Sequence, residues 1–543
     1  MAKNRTPETA LQVKTLLKQM DKLYKAGNEK MKPDGITYSR AINAVARSNS
    51  KDAVAIVENI VSGMMNNFKA GDSDCEPDTV IFNGLLETYR NSNTKVLADK
   101  AEILLHRMEE LYEKGNNSVK PNAISYWTVL SAFSGNGSAK RADTILYRML
   151  ELSVAGDDDV RPNEHCFSTV IATYAVTGRH VERAQEILSD MIKLFESGRT
   201  ELRPSRLCFT TIMAAQKASK SGPIILYMLE LYKAGAKDLK PDMRQIQKVM
   251  YELEKKAMCT SAEAILSLLI ELHEAGDEYM KPGIDMFSAV ISAHAKQGNA
   301  ELAEDYFQKM QDFYNAGNLK AKPNIDIGNF VIKAWSRSGK EDALKHAELH
   351  VERMQSLYDA GNDEIKPNQL TYHNLLTAVK ELSAVTDKAE RSRKILFRMH
   401  QLYDSGVGDV EPTSRTYNMV ILSICKTEGN EEHKNAAYQM ALKTLKEMRQ
   451  AGREKIAPNQ YTYPAMFTAC ADLLQPEKGN KHILEIFLLC CKDGLLDAKV
   501  LNLLKQMAPD ILARFARPTS SGVIELSDFP TEWSANRGLQ DNT

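Results

Sequence analysis

Residues Pro282 to Pro323, PGIDMFSAVISAHAKQGNAELAEDYFQKMQDFYNAGNLKAKP, read as two helices and a stop. From Met286 to Ala295 apolar side chains recur three and four apart, until Gln297-Gly298-Asn299 breaks the pattern; the spacing predicts one helix and a tight turn. Ala300, Leu302, Ala303, Tyr306, Phe307, Met310 and Phe313 then share one face of a longer helix, which Ala316-Gly317-Asn318 closes. Neither amphipathic helix can bury its stripe alone, so the pair needs neighbours of its own kind.

The rest of the chain supplies them. Pro33, Pro77, Pro121, Pro162, Pro204, Pro241, Pro282, Pro323, Pro367, Pro412 and Pro458 each precede a short helical run, at spacings of 37 to 46 residues. A second marker keeps step, since Met20, Met64, Met108, Met149, Met191, Met228, Leu269, Met310, Met354 and Met399 each lie seven residues before a glycine. The expected architecture is all-α: a right-handed α-solenoid superhelix of stacked antiparallel helical hairpins. Residues 1–32 are expected to form a half-repeat with only its second helix, truncated at its start. Residues 33–457 hold ten repeats, 458–516 a last repeat with capping helices, and 517–543 a tail.

At 43% hydrophobic and 26% charged residues the composition is that of an ordinary globular protein. No apolar run approaches the roughly 18 residues that a membrane span needs, so no membrane role is expected. The eight cysteines lack paired CxxC spacing and fall mostly inside helical runs, which reads as reduced thiols. The net charge of −1 argues against a bulk basic surface. Basic residues nevertheless prevail along the first helices of the pairs, while acids collect in the connectors, as at Asp72-Ser73-Asp74-Cys75-Glu76 and Asp157-Asp158-Asp159, where they read as solvated loops.

MAKNRTPET, residues 1–9, is too short and polar for a signal peptide, and no targeting segment is visible. Near the other end, Arg517-Pro518-Thr519-Ser520-Ser521-Gly522 reads as a break, and Trp533 in the tail is expected to pack back on the last helices.

Phe287-Ser288-Ala289-Val290-Ile291, followed by Gly298, Ala303, Phe307, Met310 and Lys322-Pro323-Asn324, resembles the pentatricopeptide repeat. The arrangement recurs with Thr37-Tyr38-Ser39, Thr371-Tyr372-His373 and Thr416-Tyr417-Asn418, although these units exceed the family's usual length. The resemblance implies binding of single-stranded RNA, one base per repeat. It further implies that the residue after the Thr-Tyr pair reads a base edge, together with the residue after the next unit's proline. Carried over, the pairs are Ser39 with Asp78, Asn83 with Asn122, Thr210 with Asp242, Ser288 with Asn324, Asn329 with Asn368, and Asn418 with Asn459. Trp127, Ser168, Gln247 and His373 occupy the reading position in units that do not fit.

The family also places an aliphatic side chain three residues earlier, to sandwich the base. Ile36, Val80, Ile124, Leu207 and Leu370 supply it, whereas His165, Arg244, Asp285, Asp326 and Arg415 do not. Arg47, Lys255, Lys296, Arg337 and Lys426, eight residues after the reading position, fall where phosphate could be met. A helix C-terminal cation favoured by the macrodipole is the competing reading of each.

His346 and His350 stand four apart with metal-site spacing, yet no third ligand accompanies them, so a solvated helix face is expected. Gly135-Asn136-Gly137 joins two helices and lacks the lysine and strand of a phosphate loop. With no nucleophile and base constellation and no cofactor motif, neither catalysis nor a cofactor is expected. The resemblance points to a monomeric RNA-binding adaptor in mitochondrion or plastid, acting in RNA processing, stability or translation alongside other RNA-processing proteins. The alternative is a protein-interaction scaffold of the tetratricopeptide kind that leaves nucleic acid alone.

Overall fold

The computed structural model describes residues 6–135, 137–177, 180–381, 386–516 and 524–536. Asn136 of the glycine-flanked turn and the break at 517–522 lie outside them. The described residues are helical throughout, with α-helices joined by 3-10 turns and no strand among them. The hairpin read first from the sequence is present as Ile284–Gln297 and Ala300–Asn315. Gly298 ends the first of these helices at φ 77°, and a Cβ there would stand 2.6 Å from the Arg337 carbonyl oxygen. The turn therefore needs glycine both for its left-handed backbone and for the close approach of the next hairpin.

Each second helix except Glu431–Gln450 ends the same way. After Ala300–Asn315, the Gly317 N–H donates to the Tyr314 carbonyl (2.9 Å) and that of Asn318 to Phe313 (3.0 Å), with Gly317 at φ 95°, a left-handed C-cap. A 3-10 turn, Leu319–Ala321, follows, and its last residue is buried. Val119, Val160, Leu202, Leu239, Met280 and Ile365 are its buried counterparts in other units. These apolar plugs are part of what makes the units long, and they give the connectors a core function that their acidic composition hides.

The acids of the connectors are not simply solvated. Lys32, just before Pro33, reaches Asp72 and Asp74 of the following connector, both at 2.8 Å. Lys120 does the same with Asp157 (2.9 Å) and Asp159 (2.7 Å), and Lys322 with Glu364 (2.9 Å). Such half-exposed pairs add little stability but fix the register of one unit on the next.

The chain divides into two compact units, Met1–Pro241 and Asp242–Thr543. In the first, Pro7–Lys25 packs against Gly35–Ala46, and the first helices Gly35–Ala46, Thr79–Asn91, Ala123–Gly135, Glu164–Thr177 and Arg206–Ala215 pack side by side. In the second, Met243–Lys255, Ile284–Gln297, Ile325–Arg337, Gln369–Glu381, Ser414–Cys425 and Thr462–Leu473 form a similar row. Within each unit the second helices of successive hairpins meet far less than the first helices do, so the first-helix row is the tighter side of the stack. The Met stripe is core as expected: Met64, Met108, Met149, Met191, Met228 and Met310 are fully buried. All eight cysteines are free and buried, and for those at 166, 208, 425 and 470 burial pushes the thiol above its ordinary range, which leaves it unreactive.

At the C-terminal end, Pro476–Lys492 completes the last hairpin, and Ala498–Met507 and Pro509–Phe515 follow it. Trp533 packs back as expected, its ring against Phe487 (5.8 Å), Phe529 (6.0 Å) and Phe515 (6.1 Å). The Leu496 N–H donates to the Trp533 carbonyl (2.8 Å), which ties the tail to the preceding loop. No helix of the described residues is long and apolar enough to cross a membrane.

Candidate nucleic-acid interface

An amphipathic first helix has to bury its Tyr, Ile and Val positions between neighbours, which leaves the residue three before the reading position turned outward. That is where Ile36, Val80, Ile124, Leu207 and Leu370 stand, at 62%, 52%, 60%, 61% and 45% exposure. Scattered exposed aliphatics are ordinary on a protein surface, but five at one register of a repeat are not scattered. Asp285, Asp326, Arg244, Arg415 and His165, at the same register elsewhere, are exposed too.

The proposed reading residues are less uniform. Ser39, Asn83, Thr210 and Ser288 are half-buried at the edge of the row. Asn329 and Asn418 are buried, and this departs from the expectation of side chains open to a channel. Their helices are flanked on both sides by first helices, and the packing closes over them. Neither amide atom of Asn329, and not the Asn418 Oδ1, has a hydrogen-bond partner among the described residues. Leaving such a group unpaired costs roughly 1–3 kcal/mol.

The structure brings two of the expected pairs into direct contact. Asn83 Nδ2 donates to Asn122 Oδ1 (3.3 Å), and Asn418 Nδ2 donates to Asn459 Oδ1 (2.9 Å). Ser39 with Asp78, Ser288 with Asn324 and Asn329 with Asn368 make no direct hydrogen bond. Thr210 and Asp242 belong to different units.

The second member of every pair has a structural duty that the sequence reading missed. Asp78 accepts from the Ile81 N–H (2.9 Å), Asn122 from Ser125 (3.2 Å), Asp242 from Arg244 (3.0 Å), Asn324 from Ile327 (3.1 Å), Asn368 from Thr371 (3.2 Å) and Asn459 from Tyr461 (3.0 Å). Each caps the N-terminus of a first helix. The signal was visible as Asx followed three residues later by Ser or Thr in Asn122/Ser125, Asn368/Thr371 and Asn459/Thr462, where the hydroxyl oxygen reciprocally accepts from the cap's own N–H at 3.1, 3.1 and 2.9 Å.

The five candidate phosphate cations are all exposed. Lys296 donates to the Glu254 carbonyl (2.7 Å) and lies 3.4 Å from its carboxylate, Lys426 pairs with Asp472 (3.3 Å), and Lys255 lies 3.6 Å from Glu252 with its ammonium 4.3 Å from the Tyr251 ring centroid. Arg47 and Arg337 have no ion-pair partner among the described residues. Exposed pairs of this kind are weak enough to be exchanged for a ligand's charge.

The units that fitted poorly have other uses for the reading position. His373 is buried, its Nε2 2.9 Å from Thr416 Oγ1, and burial together with Arg415 lowers its pKa to about 4. Trp127 lies 4.9 Å beneath the Arg90 guanidinium. His346 and His350 do not share a solvated face. His350 is buried with its Nδ1 3.0 Å from Glu304, and His346 stacks on Trp335 at 4.3 Å. Burial would raise the Glu304 carboxyl, but His350, the Trp335 N–H and Arg353 overrule it and hold it at about 2. No group of three or more metal-ligating side chains forms among the described residues.

Residues 285–314 match the family model described as PPR repeat. Among solved structures, the crystal structure of the pentatricopeptide repeat protein PPR10 from maize aligns over 92% of this chain and 72% of its own, at 16% identity and a TM-score of 0.29. No curated protein matches. The matched residues are the hairpin Ile284–Gln297 and Ala300–Asn315, and its counterparts keep one register of proline, buried core and capping glycine from Pro33 to Pro458. Within this chain, the hairpin at residues 285–314 is the stretch similar to a pentatricopeptide repeat.

Proposed function

We propose that this protein is a single-stranded RNA-binding adaptor that binds RNA along the first-helix row of each unit, one base per repeat, and thereby guides that RNA's processing, stability or translation. The observation that carries the reading is the line of outward-facing aliphatics, Ile36, Val80, Ile124, Leu207 and Leu370, each three residues before a reading position and suited to lie against the face of an unstacked base. Beside them, Ser39, Asn83, Thr210 and Ser288 offer hydrogen-bonding groups at the half-buried edge, with Asp78, Asn122 and Asn324 as partners of Ser39, Asn83 and Ser288. Arg47, Lys255, Lys296, Arg337 and Lys426 supply screened contacts to phosphate. By resemblance the working compartment is the mitochondrion or plastid.

A protein-interaction scaffold is the second reading, and Asp285 and Asp326 favour it, since an exposed carboxylate beside a nucleotide chain repels phosphate. Selection from a random RNA pool with the full chain, repeated over a salt series, separates the two. Enrichment of a short single-stranded motif whose affinity falls steeply with salt supports the adaptor. No enrichment at low salt overturns it in favour of the scaffold.

A further inference from the structure

Along the second unit, Asp242–Thr543, the outward faces of the second helices change sign. In the middle turns of Ala300–Asn315 and Ala343–Asp359 the exposed charges are Asp305, Glu348 and Glu352, with Lys309 lying over the Tyr306 ring at 4.7 Å. In the middle turns of Lys388–Asp404 and Glu431–Gln450 they are Lys394, Arg398, Lys443 and Lys446. An acidic block thus gives way to a basic one, with the seam between Ala343–Asp359 and Lys388–Asp404.

The first unit handles such charges differently. There Lys100 pairs with Glu58 (2.8 Å) and Arg183 with Asp143 (2.9 Å), each across successive second helices. In the second unit Asp305, Glu348, Glu352, Lys394, Lys443 and Lys446 have no ion-pair partner among the described residues. Apolar side chains flank the seam: Leu349, next to Glu348, is 50% exposed, and Phe397, next to Arg398, is 62% exposed. An exposed apolar pair ringed by charge is how an interface is built, apolar at its centre and polar at its rim.

We propose that this face docks a second copy of this chain, across a two-fold axis at the seam. Glu348 and Glu352 then face the partner's Lys394 and Arg398, Asp305 faces the partner's Lys443 and Lys446, and Leu349 meets the partner's Phe397. A two-fold operation pairs each residue's patch with the other's, so a surface half acidic and half basic is complementary to itself. A wholly acidic or wholly basic partner matches only one half. The interface uses second helices alone and does not rest on the RNA-binding reading, and it replaces the monomer expected from the resemblance with a dimer.

The test is sedimentation velocity of the full chain from micromolar to sub-millimolar concentration, at low salt and at about 0.5 M salt. A dimer is expected at low salt, with its affinity about 10-fold lower at the higher salt. Phe397→Ser, Lys394→Glu and Glu352→Lys, all at exposed positions, are each expected to weaken it by about 10-fold or more with the circular dichroism unchanged. Lys394→Glu chains mixed with Glu352→Lys chains are expected to recover the dimer, because in the mixed pair every reversed charge again meets its opposite. A chain that stays monomeric at low salt over the whole range overturns the proposal and leaves the face to a partner of another kind. A dimer indifferent to the three substitutions, or a mixture that associates no better than its components, overturns it as well.

Discussion

The two compact units share a repeat but equip it differently. In Met1–Pro241 the first helices present Ile36, Val80, Ile124 and Leu207 at the sandwich register, and a single candidate phosphate cation, Arg47. In Asp242–Thr543 that register holds Arg244, Asp285, Asp326 and Arg415 with Leu370 alone aliphatic, while Lys255, Lys296, Arg337 and Lys426 supply the charge. Stacking against a base is short-ranged and specific in geometry, whereas attraction to phosphate is long-ranged and indifferent to sequence. On the RNA-binding reading proposed above, the first unit would sense bases and the second would hold a backbone, a difference that a shared helical scaffold permits because both registers lie outside the core.

A second contrast concerns protonation. His106, His165 and His180 of the first unit are exposed, whereas His294, His350 and His373 of the second are buried. His373 has an ordinary pKa of 6.5 and a folded one of about 4, so the native state favours its neutral form. The stability this contributes is complete above pH 6.5 and is lost as pH falls toward 4. Glu304, depressed from 4.5 to about 2, contributes stability above pH 4.5 that is lost as pH falls toward 2. On acidification the second unit is expected to open before the first, with His373 alone accounting for about 3 kcal/mol. Pulsed hydrogen exchange after an acid jump checks the order, and His373→Gln is expected to flatten the stability profile between pH 6.5 and 4.

The stacking half of the contrast breaks if the first unit is given the second unit's residues. Val80→Asp with Ile124→Asp, copying Asp285 and Asp326, is expected to cost about 10-fold to 100-fold in RNA affinity with the fold intact by circular dichroism. The electrostatic half is sharpened by salt titration. Replacing Lys296, Arg337 and Lys426 together by Gln is expected to reduce the salt slope of RNA binding by about 2, against about 0.7 for Arg47→Gln. The smallest effect runs in the favourable direction: Asp326→Leu, which restores an aliphatic in the second unit, is expected to raise affinity about threefold, measured by anisotropy at fixed salt.

The helical pairs, their stops and their stacking were legible because a 3.6-residue apolar period and a left-handed glycine are local requirements, and Gly317 and Met310 announce them without reference to neighbours. The sandwich register was legible for the same reason, since Ile36 and Val80 fall off the apolar stripe. The capping duty of Asn122 and Asn368 was also written locally, as the serine or threonine three residues on, and was overlooked because one residue served two readings. The clamps from Lys32 to Asp72 and from Lys120 to Asp157 were not legible, because their partners lie about one repeat apart and the pairing depends on how one hairpin seats on the next.

The amino-acid order alone determined that this chain folds as repeated helical hairpins and which side chain occupies each register, since period, turn and cap act over a few residues. Only the tertiary structure decided that Asn83 and Ser288 stay half-buried at the edge of the row while Asn329, Asn418 and His373 are covered. Burial and charge proximity are set by the distance between neighbouring helices, which no single helix encodes.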